Sequence, residues 1–198
     1  MLDRMDDITR KKKDLREQAK ATRSQAYARH CVAASENLAK HGIGFAGPAE
    51  GAEVSAFLAI GEELDPLPLM RRLWAGGHAI GLPVMVGKAK ALVFREWREG
   101  EPLREVQWGI REPQESARVI VPDVMLVPLL AFDCHGYRLG YGGGFYDRSI
   151  AEIRAAKPVI TIGLAYDELE VDAVPHDDYD ERLEWVLTPS GPKACRSD

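Results

Sequence analysis

Residues 9 to about 41 read as helix, and Gly42 stands where a C-terminal cap is needed. In its second part Tyr27, Cys31, Ala34 and Leu38 recur at helical spacing and are expected to face a core. From Glu53 onward the pattern changes to short apolar runs. Residues 54–60 predict a buried strand, and residues 67–74 a helix opened by Pro66 and Pro68. Residues 79–86 predict a second strand, broken near Pro83, and residues 91–97 a third. The stretch 98–117, rich in Gly, Pro and charge, predicts a long surface segment. Residues 124–132 predict a strand despite Pro128, followed by a helix at 145–155, a strand at 159–165 and a last strand at 183–187. Alternating strands and helices imply an α/β fold, a three-layer arrangement with a largely parallel sheet flanked by helices. A single domain over 1–198 is expected, with N-terminal helices in 1–42 and an α/β core in 53–188.

Composition narrows this picture. With 198 residues, 45% hydrophobic and 29% charged, the chain can bury a sizeable core and is of ordinary globular make-up. A formal charge of -5 argues against non-specific nucleic-acid binding, so no nucleic-acid partner is expected. Cys31, Cys134 and Cys195 are widely spaced and form no Cys-x-x-Cys, which gives neither a disulfide framework nor a zinc knuckle. The basic N-terminus lacks the apolar stretch of a secretory signal, and no apolar run has the length of a membrane span. A cytoplasmic protein without membrane partners is the expectation. Arg10, Lys11, Lys12 and Lys13, continued by Arg16, Lys20 and Arg23, make the first helix strongly basic. Taken alone, such a run reads as a solvated face.

The densest chemistry lies in residues 133–148, DCHGYRLGYGGGFYDR, between a predicted strand and a predicted helix. Gly140, Gly142, Gly143 and Gly144 leave the backbone free to wrap an anion, with amides and a helix N-terminus directed at it. Arg138 and Arg148 flank the loop and suit phosphate. Asp147, just inside the helix, would repel phosphate unless a cation intervened, and a magnesium ion between them resolves the conflict. The loop is not a dinucleotide fingerprint, because Phe145 takes the place of the last glycine. Nor is residues 81–88 a P-loop: it has one residue too many before Gly87, and Ala89 has no hydroxyl for magnesium. Neither G-x-S-x-G nor H-E-x-x-H occurs. Cys134 and His135 read as part of a turn over 133–136 rather than a metal pair.

Val127 and Pro128, followed by the run from Arg138 to Arg148, closely resemble the signature of the 5-formyltetrahydrofolate cyclo-ligases, also called methenyltetrahydrofolate synthetases. Further stretches resemble the same family: 12–16, 55–63, 108–113, 162–166, Val174 with Pro175, and Asp180. Two positions depart from its pattern, Tyr179 where histidine is common and Asp65 where a hydroxyl residue is.

The resemblance implies that ATP is held by Lys12, Arg16, Arg138, Leu139, Gly140, Tyr141, Gly142, Gly143, Gly144, Phe145 and Tyr146. It assigns substrate contacts to Leu58 and Glu63, with Trp108 and Tyr146 lining the pterin, and magnesium to Asp147 and Asp180. Lys12 and Arg16, four residues apart, share a helical face and can both reach one triphosphate. The partners implied are 5-formyltetrahydrofolate and ATP, and a monomer is expected. In the implied reaction the formyl oxygen attacks the terminal phosphate, nitrogen 10 attacks the activated carbon, and phosphate leaves. That chemistry asks for positioning and charge neutralisation, with no protein nucleophile or general base. Two alternatives stay open: an ATP-dependent paralogue acting on another formylated or carboxylated molecule, and a nucleotide- or RNA-binding regulator without turnover.

Overall fold

The computed structural model describes residues 2–106 and 109–196, with side chains from Asp7 onward. It begins with helix α1 (Leu2–His41), kinked at His30, where φ is -155°. Ala19, Ala26, Ala34 and Leu38 are buried along it. Two residues expected in the core are not fully inside: Tyr27 is exposed and Cys31 half-buried. The kink explains this, because it shifts the inward face by one position, so that Ala26 takes the place a straight helix gives Tyr27.

The chain continues through β1 (Val54–Ser55), α2 (Leu67–Ala75), β2 (Ile80–Met85), β3 (Leu92–Glu96), β4 (Leu103–Glu105), β5 (Arg111–Pro113) and β6 (Val119–Ile120). It then forms β7 (Val124–Pro128), β8 (Ala131–Phe132), β9 (Arg138–Leu139), α3 (Phe145–Ala156), β10 (Ile160–Leu164), β11 (Trp185–Thr188) and β12 (Gly191–Ala194). The main sheet runs β12-β11-β10-β7-β1-β2-β3-β6. From β11 to β2 all pairings are parallel, and antiparallel strands finish both edges. The crossover β1–α2–β2 steps one way along the sheet and β7–α3–β10 steps the other. With the right-handed crossovers that parallel βαβ units adopt, α2 and α3 fall on opposite faces, which makes three layers. Helix α1 packs along α2. The core between the layers is dense with aliphatics: Val54, Ile80, Leu82, Leu126, Ile162 and Leu187 are all fully buried.

Several strands differ from expectation for identifiable reasons. The run 54–60 gives only two ladder residues. Val54 N bonds Ala79 O at 2.9 Å and Ala56 N bonds Gly81 O at 2.9 Å. The next parallel rung needs the amide of residue 83, and Pro83 has none. Strand β2 itself is not broken there, because Pro83 faces Phe94 of β3 at a position where no amide is required. Two residues on, the Met85 amide points the same way and is met by the carboxylate of Glu112 at 2.9 Å. The stretch 98–117 is not all loop but carries the β4–β5 hairpin. The run 124–132 is two strands, since the sheet ends at Pro128 and β8 joins β9 in a separate ribbon. Strand β12 follows what was expected to be the last strand, and its Gly-Pro-Lys-Ala sequence carries no strand signal.

Between β1 and β7 the order of crossovers reverses, and α/β sheets bind ligands in the crevice beyond the C-terminal ends of such neighbouring strands. The 133–136 turn, which joins β8 to β9, is tightly built. Asp133 Oδ1 accepts from the amides of His135 (3.0 Å) and Tyr137 (3.1 Å), and its Oδ2 from Val174 N at 2.9 Å. Gly136 has φ +86°, and a Cβ there would run into the Leu183 carbonyl oxygen. Gly136→Ala is therefore expected to cost about 2–4 kcal/mol, a fall in melting temperature of roughly 5–15 °C. Gly44→Ala, with open space around it, is the control in the same thermal unfolding measurement.

Candidate active site

Strand β9 ends below the glycine loop. Leu139 is buried in a small apolar cluster with Ala19, Leu130, Ala131 and Val174. Arg138 is buried too: its Nη2 donates to Asp147 Oδ1 at 2.8 Å and its Nη1 to the Glu181 carbonyl. Gly144 then caps α3 in the left-handed conformation at φ 62°, where a Cβ would stand 2.7 Å from Arg148 Nη1. No side chain caps this helix, so its first amides are left to an external acceptor. The loop carbonyls are occupied instead. Arg16 Nε holds Gly140 O at 2.9 Å, and Arg148 Nη2 holds Gly143 O at 2.7 Å while its guanidinium lies 5.3 Å over the Phe145 ring. Carbonyls drawn to arginines and amides left open make an anion cradle.

Helix α1 reaches this end of the sheet with three cations. Lys12 Nζ bonds Asp177 at 2.8 Å and Asp180 at 2.5 Å, while Arg16 takes the loop carbonyl. Arg23 Nη1 donates to the Tyr141 hydroxyl at 2.5 Å. That hydroxyl donates in turn to Glu63 Oε1, whose other oxygen accepts Ile60 N at 2.9 Å. Glu62 is turned elsewhere, to the Ser24 hydroxyl of α1. Leu58 is half-buried against the core. Tyr146 buries its hydroxyl with no partner among the described residues, and burial together with the Glu63 carboxylate pushes its pKa upward. Trp108 lies outside the described residues.

The segments that carry the two residues assigned to magnesium touch, because Glu181 N donates to Asp147 Oδ1 at 3.2 Å and Asp180 precedes it. Among the described residues no group of three metal-type side chains gathers. Asp147 uses Oδ1 for Arg138 and Glu181, and Asp180 uses Oδ2 for Lys12 and the Asp177 amide. Among the described residues, each keeps its second oxygen free of hydrogen bonds. Magnesium commonly takes one or two carboxylates and completes its shell with phosphate and water. The donor set fits that use and does not fit a closed protein cage.

The family model for the 5-formyltetrahydrofolate cyclo-ligase family matches residues 8–189. The chain belongs to this family. It is 37% identical over 142 residues to the 5-formyltetrahydrofolate cyclo-ligase of Escherichia coli K12, a match covering 69% of this chain and 78% of that one. To the Haemophilus influenzae cyclo-ligase it is 28% identical over 184 residues, or 90% and 98% of the two chains. The fold agrees with the solved 5,10-methenyltetrahydrofolate synthetase of Aquifex aeolicus at a TM-score of 0.77 and 23% identity over 94% of each chain. The Mycoplasma pneumoniae synthetase aligns at a TM-score of 0.68 and 18% identity, over 90% of this chain and 98% of that one. As a member of the cyclo-ligase family the chain is an enzyme, a ligase. No helix among its described residues is long and apolar enough to cross a membrane.

Two site residues escaped the sequence reading. Asp177 shares Lys12 with Asp180 but was lost in an acidic run, and Arg23 was counted with the solvated charges of α1. A signal for Arg23 was present: Lys12, Arg16, Ala19, Arg23 and Ala26 follow a four-three-four-three spacing, one continuous helix face.

The Lys12 clamp has a defined pH window. Burial opposes the Lys12 charge, but the hydrogen bonds and charges of Asp177 and Asp180 outweigh it and raise its pKa above 10.5. The hydrogen bond from Lys12 holds Asp177 below 3.8 against a smaller burial effect. The Asp177 contribution is complete above 3.8 and lost as pH falls through its depressed value; that of Lys12 is complete below 10.5 and lost as pH rises through its raised value. Amide-exchange protection over residues 177–181 is therefore expected to stay level from about pH 5 to 9, once intrinsic rates are corrected, and to fall below 3.8. A sloping protection within the plateau would remove the clamp from the account.

Proposed function

We propose that the chain closes the ring of 5-formyltetrahydrofolate to give 5,10-methenyltetrahydrofolate, converting ATP to ADP and phosphate. The observation that carries this reading is the uncapped N-terminus of α3 behind the glycine loop, with Lys12 and Arg16 converging beside it and Glu63 across the crevice. The α3 amides and Lys12 bind and neutralise the triphosphate, and Arg16 fixes the loop that presents those amides. Asp147 and Asp180 would hold magnesium, whose charge supplies further neutralisation at the phosphates. Glu63 accepts N–H donors of the pterin and so orients the formyl group towards the terminal phosphate. The formyl oxygen forms the bond to phosphorus as ADP leaves; nitrogen 10 then bonds the formyl carbon and gives up its proton, and the oxygen departs with phosphate, which takes that proton. Every assigned side chain binds or orients, and none has to attack.

The direct test follows methenyl absorbance when pure protein meets 5-formyltetrahydrofolate, ATP and magnesium. Turnover is expected only with all three, and full turnover after exhaustive chelation would falsify the metal assignment.

Arg16→Ala separates nucleotide binding from folate binding. Its charge-assisted bond to Gly140 O is worth about 1.5–3 kcal/mol, so ATP affinity should fall roughly tenfold or more, with folate affinity nearly unchanged. Unaltered ATP affinity would make Arg16 a surface residue with no part in the cradle.

A further inference from the structure

Arg23 is the one α1 cation near the crevice to which the functional reading above gives no task. Its Nη1 donates to the Tyr141 hydroxyl at 2.5 Å, and its Nε is buried without an acceptor among the described residues. Burying an unsatisfied guanidinium N–H is costly, and such a group is held in reserve where a ligand supplies the acceptor. Arg23 and Glu63 line the same narrow cleft beyond the ends of β1, β7 and β10, with Phe57, Leu64 and Leu129 as apolar wall. Tyr166 closes it, 1% exposed and with a hydroxyl that has no partner among the described residues.

Beside that cleft the hydroxyl of the half-exposed Tyr141 does two jobs: it donates to the Glu63 carboxylate and accepts from the Arg23 guanidinium. Burial and the Glu63 charge push its pKa up, so it keeps the proton it donates. A carboxylate beside a guanidinium is an acceptor next to a donor. Its complement is a group with an N–H donor next to a carbonyl oxygen, which is the lactam edge of an oxo-pteridine ring. Water or a hydroxyl can fill both positions with one atom; a lactam fills them with two. We propose that Arg23 is a specificity-determining residue that reads the ring carbonyl of the pterin beside Glu63, and that the Tyr141 hydroxyl stands in for this lactam edge in the free protein. The inference rests on the folate reading and extends it: Glu63 alone accepts any N–H donor, whereas Glu63 with Arg23 rejects a ring whose carbonyl has become an amino group.

The test uses two ligands that differ at this one position, folic acid and its 4-amino-4-deoxy counterpart, with equilibrium binding measured on the full chain. Wild type is expected to prefer the oxo ligand by about tenfold or more. Arg23→Met should lower affinity for the oxo ligand by a similar factor and leave the amino ligand within about twofold, so that the preference collapses while the melting temperature holds. A wild type that binds both ligands equally overturns the inference without any variant. So does an Arg23→Met protein that keeps the preference, or one that loses both ligands alike, since that is the mark of a structural role. Turnover of 5-formyltetrahydrofolate by the wild-type preparation is measured alongside. Its absence overturns the functional reading itself, whereas turnover with an unchanged preference in Arg23→Met overturns this inference alone.

Discussion

The charged stripe of α1 is the constraint on which the site depends. One helix face carries Ala19 and Ala26 where it crosses the core, and Lys12, Arg16 and Arg23 where it meets the loops. The small residues let the helix come close, and closeness brings three long cations within reach of two separate segments. Lys12 takes the acidic segment at 177–180, while Arg16 takes the Gly140 carbonyl and Arg23 the Tyr141 hydroxyl of the glycine loop. Exposed ion pairs contribute little, but Lys12 has only 15% of its side chain exposed, so its bonds are made largely out of water.

The crevice that these loops surround has an equally local cause. Because Pro83 offers no amide to β1, the ladder there stops after two residues, and the chain leaves the sheet carrying Leu58 and Glu63 over the strand ends. Glu112, almost completely buried, receives the orphaned Met85 amide on one oxygen and Arg104 at 3.1 Å on the other. A buried carboxylate in an otherwise apolar layer is costly unless both its oxygens are engaged, which is the case here. The gap in the sheet is thus stabilised rather than left as a defect, and it coincides with the switch point between β1 and β7.

Within the loop, arginines and glycines divide the labour. Arg16 and Arg148 bind carbonyls, and Arg138 braces Asp147 and the Glu181 carbonyl from below. What faces the crevice is mostly backbone N–H and the positive end of α3. Such an arrangement suits the proposed phosphate binding by preorganised dipoles, with side-chain charge kept for neutralisation and orientation.

Local chemistry was legible in the sequence wherever one short stretch contained the whole pattern. The glycine run before α3, the Asp133 turn, the α/β alternation and the family signature all lie within windows of a few to some tens of residues. Their physics is equally short-ranged: backbone freedom, turn hydrogen bonds and side-chain periodicity. Tertiary structure alone decided the rest. It turned Arg138 inward to Asp147 and not outward, set Asp177 against Lys12 across 165 residues, sent Glu62 to Ser24 and Glu63 to Tyr141, and made Arg23 a neighbour of both. A carboxylate or guanidinium has the same local propensity in each of these settings. Its partner depends on which distant segment the packed core brings within about 3 Å, and that choice belongs to the fold.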